Sequence, residues 1–207
     1  MTRRQANRCL AILTLLGIAA SAHAFTATIT SGPRQLFLQV GTGTMSGAAF
    51  SSGGTPANNA TINTVSVTVP ATAIGNGTKL AMTSDSLVAN SSYDNFAFCT
   101  ALSTVYVGGF YRNSATGNAT LSATSPASLT NAAADTIAFS QISWTSSGAG
   151  DSVATIPSGT FNGGVQTLYT TANNRWFESC LGFAYANSAV VPAGTYSGRV
   201  RFTLSAP

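Results

Sequence analysis

The chain carries few side chains able to do chemistry, and the missing ones say as much as those present. Beyond residue 24 it has two cysteines, Cys99 and Cys180, one lysine, Lys79, and five carboxylates, Asp85, Asp94, Asp135, Asp151 and Glu178, but no histidine. Without histidine the usual general base is gone, and neither Ser-His-Asp nor Cys-His machinery can be assembled. A Ser-Lys dyad would have to use Lys79, which sits in Gly77-Thr78-Lys79-Leu80 without a Ser-x-x-Lys frame and reads as a solvated turn lysine. Two thiolates do not complete a tetrahedral metal site and no Cys-x-x-Cys occurs, so no metal, cofactor or redox pair is expected. Paired carboxylates hydrolyse glycosidic bonds, but the four aspartates sit in or beside turn-like sequence, where Asp caps and turns the backbone. Glu178 differs: strand geometry puts Trp176, Glu178 and Cys180 on one face, so it lies at the mouth of a groove or faces water. The expectation is a protein that is not an enzyme.

The elements that position these residues begin after a leader. Arg3, Arg4 and Arg8 precede an apolar run from Leu10 to Ala20, and Ala22-His23-Ala24 supplies a small-residue cleavage site before Phe25. Residues 1–24 thus read as a secretory signal peptide. The apolar run is about half the roughly 20 residues needed to span a bilayer, so no transmembrane segment is expected once the leader is removed. The localisation implied is export, to the periplasm, cell surface or exterior. Residues 25–207 keep six basic side chains against five acidic ones, a net charge of +1, so the basic character of the whole chain comes largely from the leader. Six scattered cations make no patch for phosphates, and nucleic acid is not an expected partner. In an oxidising compartment two cysteines most simply make one disulfide, Cys99 to Cys180. Closing a loop of roughly 80 residues, it would stabilise the fold by about 4 to 5 kcal/mol in the chain-entropy picture.

Residues 25–207 suit one domain, and period-two alternation runs through nearly all of it. Phe25, Ala27 and Ile29 alternate with threonines; Leu36, Leu38 and Val40 follow after a Gly32-Pro33 turn. Residues 41–60 read as a long loop, with room for a bent hairpin. The cleanest half-buried strand is 62–69, with Val65, Val67 and Val69 on one face and Thr64, Ser66 and Thr68 on the other, stopped by Pro70. Further strands are expected at 79–82, at Tyr93–Cys99, at 102–112 with a bulge or bend at Gly108-Gly109, and at 118–123. An alternation with one slip covers 137–144, weaker strands lie near 153–156 and 160–169, and the last two are 176–185 and 200–204. No window carries a capped helical stripe outside the leader. The fold class expected is all-β, a β-sandwich of immunoglobulin-like or jelly-roll-like type with little helix outside the signal peptide. Most aromatics of a sandwich are core, but Trp144 and Trp176 are candidate ligand-contact residues, since indole rings stack on sugars.

The closing stretch Pro192-Ala193-Gly194-Thr195-Tyr196, followed by alternating Val200, Phe202 and Leu204, resembles the last strand of spore coat U-type and related chaperone-usher pilus subunits. The resemblance covers about 15 residues and the leader, and departs from the family pattern in lacking an early cysteine. It implies an exported, incomplete immunoglobulin-like sandwich, completed by a strand from a periplasmic chaperone and then from the next subunit. The apolar arm at residues 25–30, cut off by Gly32-Pro33, either pairs within its own sheet or has the form of a donated strand. The function expected is therefore a non-enzymatic structural or adhesive cell-surface protein of fimbrial type, with other subunits or a periplasmic chaperone as partners. The alternative is a soluble exported binding domain for carbohydrate. Mass spectrometry of the exported protein should find Phe25 as its first residue, and an intact leader would overturn that expectation.

Overall fold

The computed structural model describes residues 27–29, 32–50, 62–99, 103–114 and 116–207. Residues Met1–Thr30 and Ser31–Pro207 form separate units, and the architecture is that of Ser31–Pro207. Its strands are β1 (Arg34–Val40), β2 (Ser46–Phe50), β3 (Val65–Ser66), β4 (Leu80–Ala81), β5 (Thr83–Ser84), β6 (Thr104–Arg112) and β7 (Asn118–Thr124). They continue with β8 (Ser128–Thr130), β9 (Thr136–Ala138), β10 (Ile142–Ser147), β11 (Gly159–Thr160), β12 (Val165–Ala172), β13 (Arg175–Tyr185) and β14 (Arg201–Ser205). The only helical turns among the described residues are short 3-10 pieces at Ala71–Ala73 and Phe139–Gln141.

The main sheet runs β11-β10-β13-β6-β1-β2, with β4 also on β13; a second sheet runs β12-β7-β14, and β3-β5 and β8-β9 are small ladders. Every pairing is antiparallel. The sheets pack as an all-β sandwich. Alternation decides what lies between them: Phe177, Leu181 and Phe183 of β13, Val105, Val107 and Tyr111 of β6 and Leu36 of β1 meet Ala119, Leu121 and Ala123 of β7 and Leu204 of β14 in one core. Trp144 belongs to it as well, 5% exposed. Its indole N–H donates to the Pro157 carbonyl at 2.9 Å, and Phe161 packs on its ring at 4.8 Å. Such a site satisfies both the apolar body and the polar tip of the indole.

Several local expectations are corrected. Tyr93–Cys99 is a turn and an irregular segment with an isolated bridge, Asn90 to Ala97, not a strand. Side chains there bond the nearby backbone: the Ser91 hydroxyl accepts from Tyr93 N–H at 3.1 Å, the Asp94 carboxylate accepts from Phe96 N–H at 3.0 Å, and Asn95 adopts a φ of 63°. These local bonds compete with a ladder and win. Gly108-Gly109 is no bulge, since β6 keeps unbroken register with both β1 and β13. The glycines serve close approach instead: a Cβ on Gly109 would fall 2.3 Å from the Phe37 carbonyl oxygen. The slip between Phe139 and Ile142 is the 3-10 turn Phe139–Gln141. Residues 153–156 form no strand, although Ile156 is fully buried with its N–H on the Ser179 hydroxyl at 2.9 Å. The region 41–60 contains β2, and its remainder from 51 lies outside the described residues. Of the N-terminal arm, only Ala27–Ile29 is described.

Cys99 and Cys180 are bonded, with Cα atoms 5.6 Å apart across 81 residues of sequence. Cys180→Ala should cost about 2 to 5 kcal/mol. Denaturant melts of parent and variant measure this, and a variant melting with the parent, or thiol labelling of the unreduced, denatured parent, would contradict it.

Candidate functional site

Three of the aspartates serve the backbone and amide groups around them. Asp85 accepts from the Asn63 side chain at 2.7 Å and from Thr64 N–H at 2.9 Å, bonds that hold its carboxyl below the ordinary value. Asp94 caps its turn, and Asp135 accepts from Asn131 at 2.9 Å inside another. Lys79 is exposed, as a turn lysine should be. No group of three potential metal ligands occurs among the described residues. Nor, among them, is any helix long and apolar enough to cross a membrane.

What the fold builds instead is a groove. One lip is the segment 62–70, where burial alternates as the sequence requires: Val65, Val67 and Val69 turn inward, while Thr64, Ser66, Thr68 and Pro70 are exposed. Only Val65–Ser66 is in a ladder, with β5, so residues 67–69 are extended backbone without a strand partner. The other lip is the C-terminal stretch, where the Tyr196 hydroxyl closes its turn on the Pro192 carbonyl at 2.8 Å and leads toward β14. β14 pairs with β7 along one side and is the edge of its sheet along the other. Between the lips the floor is apolar, with Leu36, Leu38, Val105, Phe183 and Leu204 among its residues, and the volume is about 1430 Å³.

A space of this size is no packing defect. Protein interiors fill space like organic crystals, with few voids larger than a water, and every side chain lining a gap loses its dispersion partners on that side. Here the apolar rows of two lips face a slot flanked by residues 67–69, outside any ladder, and by β14, the edge of its sheet. Exposed edges of this kind are templates for another strand.

The outer face of the main sheet is the second built feature, and it absorbs Trp176 and Glu178. β6 and β13 set Tyr106 opposite Cys180, Gly108 opposite Glu178 and Phe110 opposite Trp176. The Tyr106 ring lies over Gly108, where a Cβ would come within 2.3 Å of the phenolic oxygen. Its hydroxyl donates to the Glu178 carboxylate at 2.8 Å and accepts from Ser92 N–H at 3.2 Å. Burial first, and the Glu178 charge beside it, push the Tyr106 hydroxyl well above the ordinary tyrosine value. Glu178 thus supports the segment that crosses this face, a role that alternation alone could not reveal. Beyond it a row of rings crosses three strands and ends on a turn: Phe37 on Phe110 at 5.0 Å, Phe110 on Trp176 at 6.0 Å, and Trp176 on Tyr93 at 5.4 Å. Of the two candidate indoles, Trp144 is core and Trp176 is in this surface row. Tyr93 escaped notice because it looked like one more strand residue.

A scan of the chain against protein-family models, curated proteins and solved structures returned no match.

Tyr106→Phe removes both hydroxyl bonds and should destabilise the fold by about 1 to 3 kcal/mol near neutral pH. A raised folded-state value means the tyrosine's contribution is complete below the unfolded value and lost as pH rises beyond it. The parent's advantage over the variant should therefore shrink above about pH 10. Urea melts of both proteins at rising pH test this, and a constant difference would refute it.

Proposed function

We propose that the protein is a non-enzymatic structural or adhesive subunit of an exported cell-surface assembly of pilus type, and that its groove takes an extended strand from a second copy of the chain. The observation that supports this most is the slot between residues 65–69 and β14, apolar in its floor and flanked by residues 67–69, which join no ladder, and by β14, the edge of its sheet. The occupant is residues 25–30 of the neighbouring subunit. Phe25, Ala27 and Ile29 supply apolar side chains at every second position, the spacing by which one face of a strand enters such a floor, and the intervening threonines remain outside. Backbone bonds to the lips would give affinity, and the alternating side chains register. Before assembly, a periplasmic chaperone would cover the same slot.

The reading agrees with the resemblance of the Pro192–Leu204 stretch to chaperone-usher subunits, and with a chain that offers a single lysine and no histidine beyond residue 24. It also explains an economy of charge. A subunit that is buried against copies of itself has little use for the surface charge that keeps a monomer dispersed.

Molar mass and melting temperature of the 25–207 and 31–207 proteins test the proposal. The longer chain should self-associate; the shorter should stay monomeric, keep its fold and bind a peptide of residues 25–30. Val67→Asp should abolish association by placing a charge in the slot. If truncation instead lowers the melting temperature with no change in molar mass, the arm belongs to its own sheet. Phe25 and Ile29 would then each contribute roughly 1.5 to 3 kcal/mol to the subunit itself, and the assembly reading would fall.

A further inference from the structure

We propose that the turn Ser91–Phe96, together with Trp176, is a binding site for a neutral pyranose sugar, separate from the groove and independent of the assembly reading.

The turn holds an aromatic ring outward on a rigid mount. Ser91 N–H donates to the Phe96 carbonyl at 2.8 Å and Asn95 N–H to the Ser91 carbonyl at 3.0 Å, while Ser92 N–H reaches the Tyr106 hydroxyl and the Ser92 hydroxyl bonds Gln39. The disulfide at Cys99 fixes the segment's far end to β13. On this mount Tyr93 is 72% exposed, and its ring neighbour among the described residues is Trp176. A tyrosine with this much backing and this much free surface is pre-organised, so a ligand that stacks on it meets little ordering cost.

The surrounding polarity selects the ligand class. In the same turn the Asn90 amide donates to the Asn95 side-chain oxygen at 3.0 Å, which leaves the Asn90 oxygen and the Asn95 amide hydrogens available. Both residues are exposed. Asp94 is the only charged residue of the turn, so an anionic ligand is disfavoured. Trp176 contributes its ring rather than its indole N–H, which is buried beneath the surface. A pyranose matches this combination: its C–H face lies on the Tyr93 ring, and its hydroxyls serve the Asn90 and Asn95 amides and the Asp94 carboxylate. Leu87, 79% exposed, lies outside the turn and serves as the control position for non-specific apolar binding.

The test uses the protein of residues 25–207 and the methyl glycosides of glucose, galactose, mannose and N-acetylglucosamine, with cellobiose and lactose. Saturation-transfer NMR from aromatic protons should reach one C–H face of at least one of these sugars, with a dissociation constant on the order of 1 mM. Tyr93→Ala should weaken that binding by about tenfold or more without moving the melting temperature, Asn90→Ala should weaken it less, and Leu87→Ser should leave it unchanged. Absence of transfer to every sugar, binding that survives Tyr93→Ala, or binding that depends on Leu87 would overturn the proposal.

Discussion

The structure depends on the register of β6 against β13. Because successive side chains of a strand point to opposite faces, a one-residue slip would exchange them all. In the observed register Val105, Val107, Phe177 and Leu181 point into the core, while Tyr106, Phe110, Trp176, Glu178 and Cys180 share the outer face. The disulfide and the Tyr106 to Glu178 bond form only in this register, so both report on the same alignment. The inner face carries the floor toward the open slot. The outer face carries the mount for the aromatic turn.

These two faces differ in how they are finished. On the outer face Tyr106 bonds Glu178 and Ser92, the Ser92 hydroxyl bonds Gln39, and the rings of Phe37, Phe110, Trp176 and Tyr93 back one another. On the inner side the core stops short: β14 is an edge, and residues 67–69 alternate as a strand should without joining a ladder. The two faces thus leave the molecule with a paired outer surface and an open apolar slot. Filling the slot with a strand would restore interior packing and pair two edges in one event.

Much of this was legible in the sequence where the signal was local. Alternation located β1, β7, β13 and β14, and counting the two cysteines beyond the leader-like segment sufficed to pair Cys99 with Cys180. Where a local pattern is indifferent to its partner, reading it fell short. Residues 62–69 show the clearest alternation in the chain, yet alternation describes which side faces inward and not whether a neighbouring strand is present. Tyr93–Cys99 has the aromatic content of a strand, but Ser91, Asp94 and Asn95 offer the backbone nearer partners. Trp144 and Trp176 are the same residue type in similar strands, and only the stacking order of sheets separates a core indole from a surface one. Glu178 was read correctly as sharing a face with the disulfide, but its partner, Tyr106, lies 72 residues away, beyond any local rule.

The approach of the Tyr106 ring to Gly108 ties two positions into one heritable unit. The phenol occupies the space that a side chain at position 108 would need, so with β6 paired on both sides the Tyr106 ring would have to move away from Glu178 and Ser92 to admit one. Among descendants of this sequence, a larger residue at 108 is tolerable only where 106 has already lost its ring, and a lost ring leaves Glu178 and Ser92 without their shared partner. The three positions therefore constrain one another's histories, and the order of substitutions matters as much as their identity: the path through a smaller residue at 106 is open, and the path through a larger one at 108 is closed.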